Sequence, residues 1–149
     1  TPNVTSIQEV AKAAEDGGAD AITAINTALG MAIDVYAGFP ILGGKMGGLS
    51  GPALHSIAVR SVYQVKEAVK VPVIGVGGIS DWKGAVEMIM AGASAVQVGT
   101  AVTYRGVEVF REITTGLSKF LQDNQYASVG DIVGVAHRSK DYDLAARSS

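Results

Sequence analysis

Val71-Pro-Val-Ile-Gly-Val-Gly-Gly-Ile-Ser80 and, just downstream, Ala93-Ser-Ala-Val-Gln-Val-Gly-Thr100 decide the fold. Each is a short apolar run that stops at glycine, and each is followed by a helical stretch, Asp81 to Ala91 after the first. The first N–H groups of a helix have no internal partner and carry partial positive charge, so glycine beside them admits an anion closely. Two such turns on neighbouring parallel strands converge on one phosphate. The pair predicts a site for a phosphorylated cofactor, carried by Gly77, Gly78, Gly99 and Thr100.

Outward from this pair, strands are expected near 20–25, 72–76 and 94–98, and helices near 6–17, 53–70, 81–91 and 105–122. Ser6-Ile-Gln-Glu9 has capping-box spacing, and Ile7, Val10, Ala13 and Ala14 make an apolar stripe behind it. Pro52 opens the second helix, whose apolar positions are Leu54, Ile57, Ala58, Val62, Val65 and Val69. Alternating strands and helices with apolar strands predict an α/β fold, its parallel sheet covered on both faces. The count amounts to roughly the C-terminal half of a TIM-type (β/α)₈ barrel, which typically needs ~250 residues. Residues 1–122 read as that half-barrel, beginning mid-domain, and 123–149 as a C-terminal extension and tail, with a short helix or docked segment from Asp131 to His137 and a frayed tail from Asp141 to Ser149. The strands at Ala21 to Ile25 and Ala95 to Val98 would then be broken edges that pair with something: a homo-oligomer, or a complementing N-terminal half.

Composition narrows the function. The 149 residues are 48% hydrophobic with a net charge of −2, which argues against a nucleic-acid or anionic-membrane surface. No apolar run approaches ~20 residues, so no membrane span is expected. Zero cysteines leave no disulfide, iron–sulfur ligand or thiol nucleophile, and fit a cytoplasmic location. Glycine is the outlier: 19 residues, about 13% of the chain against a usual ~7%, concentrated at strand ends and in one loop.

That loop, Gly43-Gly-Lys-Met-Gly-Gly-Leu-Ser-Gly51, lies within a long connection from Ala28 to Pro52. It reads either as a flexible surface loop or as a backbone nest approaching a ligand, with Ser50 as hydroxyl donor. Asn26-Thr27 ends the first strand, on the face where barrel folds put their chemistry. The pair either terminates the strand and caps a turn, or presents an amide donor and acceptor plus a hydroxyl to a planar heterocycle. Other polar residues carry less. His55 and His137 have no carboxylate at ligand spacing and read as helix-face or surface histidines, Lys45 as a solvated loop lysine, and Glu108, Arg111 and Glu112 as a solvated face. Trp82 reads as a packing anchor on the helix side.

Thr1-Pro-Asn-Val-Thr, Ile25-Asn-Thr27, Gly47-Gly-Leu-Ser-Gly-Pro-Ala53, Val73-Ile-Gly-Val-Gly-Gly-Ile79 and Ala91-Gly-Ala-Ser-Ala-Val-Gln-Val-Gly-Thr-Ala101 occur in this order. Together they resemble the C-terminal half of class 1 dihydroorotate dehydrogenases, from Thr1 to about Leu121. Asn26-Thr27 followed by Ala-Leu-Gly-Met-Ala-Ile-Asp34 is more similar to the NAD-linked subfamily than to the fumarate-linked one.

The resemblance implies an FMN-containing barrel that oxidises dihydroorotate to orotate in pyrimidine biosynthesis. It implies Ile25 against the flavin, Asn26 and Thr27 on the orotate ring, Gly51 on FMN, and Gly77, Gly78, Gly99 and Thr100 on its phosphate. In the NAD-linked subfamily electrons leave through a partner subunit carrying FAD and a [2Fe–2S] cluster. The family's base is a cysteine in the N-terminal half, and this chain has none, so no catalytic residue is expected here. Alternatives are another FMN-dependent barrel oxidoreductase, of dihydropyrimidine or dihydrouridine type, or an inactive half-barrel that only binds phosphate or flavin, or merely assembles.

Overall fold

The structure is a computed structural model that describes residues 1–138; the tail expected from Asp141 to Ser149 lies outside the described residues. In chain order come α1 (Ile7–Asp16), β1 (Ile22–Ala24), β2 (Ala28–Gly30), β3 (Ile33–Asp34), β4 (Phe39–Pro40) and β5 (Gly47–Leu49). A 3₁₀ turn at Pro52–Leu54 leads into α2 (His55–Ala68), then β6 (Val73–Val76), α3 (Trp82–Met90) and β7 (Ala93–Gln97). The chain continues through α4 (Thr100–Arg105), α5 (Glu108–Asp123), α6 (Val129–Ile132) and a 3₁₀ turn at Val135–His137.

β1, β6 and β7 form a parallel sheet in that order, β6 central, with Ala24 opposite Gly75 and Gly75 opposite Val96. The three predicted strands are therefore present, and β1 and β7 are its edges. Ala24, Val73 and Ala93 are buried beneath α2 and α3, in a core completed by Leu54, Ala58, Val62, Val65 and Met88. Gly75 belongs to the same face: a Cβ there would stand 3.0 Å from Ala93 Cβ and 3.2 Å from Met88.

Cover on both faces, as expected from the apolar strands, is not what the structure has. By the strand alternation, Thr23, Ile74, Val76, Ala95 and Gln97 share the opposite face, and Thr23, Ala95 and Gln97 are exposed. That face is therefore open at Thr23, Ala95 and Gln97.

Three further expectations are corrected. The helix expected at 105–122 is α5, which starts three residues later, and a separate short helix, α4, precedes it and ends at Gly106, which adopts φ +70. The long connection after β1 carries strand pairs where no strand was expected, β2 antiparallel with β5 and β3 with β4. On α1 the buried line runs through Ile7 and Ala11 toward Glu15, while Val10, Ala13 and Ala14 face out. What fixes that rotation is Glu15, whose carboxylate accepts the N–H groups of Lys70 (2.7 Å) and Val71 (3.1 Å) ahead of β6.

Those two backbone bonds, Lys70 first, with Lys12 adding a smaller pull, hold the Glu15 carboxyl below the usual carboxylate range. A depressed folded-state pKa stabilises the fold above the unfolded value, and the stabilisation is lost as pH falls through the folded value. Glu15→Gln is therefore expected to lower stability at neutrality. The gap to the parent should close on acidification from about pH 7 to about pH 3, read by urea midpoints. A pH-independent gap would contradict this assignment.

The segment after α5 docks as expected between 131 and 137. Ile132 is fully buried against Val86 and Ile89, worth about 1.5–3 kcal/mol. Gly134 N–H donates to Ile89 C=O (3.0 Å), and His137 Nε2 donates to Ala91 C=O (2.9 Å) while its ring stacks on Tyr63. Trp82 packs on Phe120 and against Gly116 of α5, on the helix side of the sheet.

Candidate functional site

At the carboxyl ends of β1, β6 and β7 lies a cavity of about 300 Å³. Its wall brings together all eight residues singled out in the sequence: Ile25, Asn26, Thr27, Gly51, Gly77, Gly78, Gly99 and Thr100. Parallel strands explain the convergence, because every strand delivers its carboxyl end to the same edge of the sheet.

Ile25 is buried, with its N–H on Val76 C=O at 2.9 Å. Asn26 follows, exposed, and its Oδ1 accepts Thr27 N–H (2.7 Å) and the Thr27 hydroxyl (3.3 Å). The acceptor side of the Asn26 amide is thus turned back on its neighbour, and the Nδ2 donor is the side left for a ligand. Asn3 braces this corner: its Nδ2 donates to Thr27 C=O and its Oδ1 accepts Leu29 N–H, both at 2.9 Å. Gly48 in β5 completes the clamp, since any Cβ there would overlap the Thr27 side chain. The glycine loop is therefore neither plain loop nor nest at 47–49. Its glycines make a strand that shelves Thr27.

Gly51 (φ +84) turns the chain into the 3₁₀ helix before α2, close to Thr100 Cγ2. Ser50 Oγ accepts the Thr100 hydroxyl at 3.0 Å, tying this turn to the start of α4. Gly77 (φ +139) and Gly78 (φ +66) follow β6, and they do not open a helix. α3 begins at Trp82, where Asp81 accepts Gly84 N–H at 2.9 Å and caps the end. Of the two helix ends expected at the site, only that of α4, at Gly99-Thr100, faces the cavity. Among the described residues no backbone acceptor takes the N–H of Gly78 or Gly99.

Ser80, Gln97, Tyr104 and Arg105 also line the wall and were not expected. Arg105 is its one charged residue, and no carboxylate lines it. The guanidinium donates to Ser80 C=O and to the Glu112 carboxylate. Starting the expected helix at 105 hid this residue as the last of a separate short helix. The signal was Arg105-Gly106, a basic last turn followed by a terminating glycine.

His55 also departs from expectation. Its ring is only 18% exposed, with Nδ1 2.9 Å from Gly77 C=O and Nε2 3.1 Å from the Glu87 carboxylate. Lys45 is exposed in the 42–46 turn. Among the described residues no group of His, Asp and Glu could hold a metal ion.

Fold and site together define an α/β protein with a cavity at the carboxyl ends of its parallel strands. The profile of the family described as dihydroorotate dehydrogenase matches residues 1–121. A dihydroorotate dehydrogenase B (NAD(+)) catalytic subunit of Pyrococcus abyssi is 53% identical over 136 residues, covering 91% of this chain and 46% of that protein. That of Methanosarcina mazei is 55% identical over 137 residues, 92% of this chain and 43% of its own. The chain belongs to the dihydroorotate dehydrogenase family, and these relatives fall in the NAD-linked branch that Asn26-Thr27 led us to expect. It spans a little under half the length of the curated relatives it matches.

Proposed function

We propose that this chain supplies the cofactor-phosphate site, and part of the substrate site, of an FMN-dependent dihydroorotate dehydrogenase in pyrimidine biosynthesis. Residues 1–122 form roughly half of its (β/α)₈ barrel and 123–149 a C-terminal extension. The uncovered sheet face suits a barrel interior. The observation that carries the reading is a single cavity walled by the glycine turns, Asn26, Thr27 and Arg105.

The residues present fit an FMN phosphate. Gly78 and Gly99 offer amides without an internal acceptor, α4 directs its first turn at the cavity, and Arg105 supplies positive charge. A Cβ at Gly99 would meet no protein atom within 4 Å, so no protein neighbour requires glycine there. When bound, the flavin accepts the hydride removed from dihydroorotate. This chain orients and excludes: Asn26 Nδ2 and the Thr27 hydroxyl hold the substrate ring, Ile25 backs the flavin, and Leu54, Ile79 and Ala101 keep the wall dry. The proton is taken by a group outside this chain, which has no cysteine.

Dihydroorotate and orotate are the small-molecule partners, with an FAD and iron–sulfur electron-transfer subunit, and β1 and β7 join a complementing half or a second copy. No described helix is long and apolar enough to cross a membrane, and a cytoplasmic site of action suits this reading.

The test compares FMN with riboflavin on the intact protein by flavin fluorescence. FMN is expected to bind at least ~100-fold more tightly, and Arg105→Ala to weaken FMN about tenfold while leaving riboflavin unchanged. Equal affinity for the two flavins would overturn the phosphate assignment.

A further inference from the structure

His55 stands at the first position of α2, where its N–H closes the 3₁₀ turn on Pro52 C=O but its ring bonds to neither adjoining turn. Its ring spans from the Gly77 carbonyl on the cavity wall to Glu87 in the middle of α3. Gly84 lies beneath the ring, 3.3 Å from Cε1 and Nε2 to where a Cβ would stand, so α3 accommodates it at that point. The backbone closes on the same turn: a Cβ at Gly78 would be 2.7 Å from His55 N and 2.8 Å from its Cα. One residue thus holds the Gly77-Gly78 wall from two directions, with its own main chain and with its ring.

The bonding partners set the proton count. A carbonyl oxygen accepts only, and an ionised carboxylate accepts only, so both contacts are hydrogen bonds only when both ring nitrogens carry hydrogen. In the neutral ring one nitrogen is a lone pair. If Nδ1 keeps the hydrogen, Nε2 opposes the Glu87 carboxylate. If Nε2 keeps it, Nδ1 opposes the Gly77 carbonyl, and the wall loses its tether. Glu87 is the one ionised side chain paired with the ring among the described residues. The β6 turn offers backbone there, and α2 has no acidic residue in its first turn.

We propose that His55 is a positioning residue of the cavity, a ring that Glu87 orients and that fixes the Gly77 carbonyl, and with it the Gly77-Gly78 wall. The proposal rests on the cofactor reading above for its purpose, but not for its geometry. A hydrogen on Nδ1 ties the wall to the ring, and the Glu87 contact ties the ring to α3.

The test has two arms on the intact protein. In the first, backbone order at 77–80 is followed without cofactor as amide NMR order parameters. The parent is expected to be rigid there, with S² of about 0.85, and His55→Leu to fall below about 0.6. His55→Gln, whose amide can still donate to the Gly77 carbonyl, is expected to stay near the parent. In the second arm FMN affinity is titrated, and His55→Leu is expected to raise the dissociation constant at least ~10-fold while Glu87→Gln stays within about threefold. Order at 77–80 unchanged in His55→Leu, or lost equally in His55→Gln, would overturn the proposal. Should the parent bind no FMN, the cofactor reading falls, and the order-parameter arm still decides His55.

Discussion

Gly78→Val is expected to strip the flavin from the intact protein and destabilise what remains, whereas Gly99→Val is expected to strip the flavin and leave the apoprotein intact. Both positions line the same cavity, so the contrast lies in what surrounds them. At Gly78 a Cβ would stand 2.7 Å from His55 N, 2.8 Å from Gly51 O and 2.8 Å from His55 Cα, all backbone atoms that cannot rotate away. Its φ of +66 adds strain for a β-branched residue. A strained backbone costs about 1–3 kcal/mol and overpacking about 1–3 more, a large fraction of a domain's stability. At Gly99 the Cβ meets nothing within 4 Å and φ is −113, so the apoprotein should hold within about 1 kcal/mol. Flavin absorbance per mole of protein, with urea midpoints of the apoproteins, separates the two. A flavin-replete Gly99→Val would remove the reason for glycine at that position.

The 149-residue chain alone is expected to oxidise dihydroorotate at no measurable rate, and to do so once the remainder of the enzyme is supplied. On the proposed reading it orients the substrate and anchors the cofactor, but it contains no cysteine to act as base. General-base removal alone typically costs ~10²–10⁴-fold, before any loss from an incomplete pocket. In the complete enzyme Asn26→Ala should lower kcat and raise KM, because the Nδ2 donor reaches the ring that reacts while Oδ1 is held by Thr27. Turnover by the isolated chain near the complete enzyme's rate would sink this assignment, with His55, Lys45 and Thr27 the first candidates for a base.

Much of this was legible because strand–glycine–helix punctuation is local. Val73 to Gly78 and Ala93 to Thr100 announce strand ends by composition alone, and parallel strands then bring those ends together. What stayed hidden depends on contacts far apart in sequence. His55 meets Glu87 across 32 residues, and Asn3 reaches Leu29 across 26, with no periodicity to report either. The Asp81 cap was missed for a different reason. A glycine turn followed by a helix looks the same in sequence whether the helix end faces a ligand or closes on its own aspartate. The one-sided sheet was obscured because Ala95 and Val76 are apolar enough to read as buried when nothing covers them.

The cavity wall is drawn from four separate stretches of chain, around 25–27, 50–54, 76–80 and 97–105. No single element owns it, so whatever fills it stitches all four together. A ligand that binds only the folded state adds RT ln(1 + [L]/Kd) to resistance against unfolding, about 2.7 kcal/mol at a hundredfold excess over Kd. The melting temperature would then rise with ligand concentration, and flavin supply, rather than sequence alone, would set how long the polypeptide survives proteolysis.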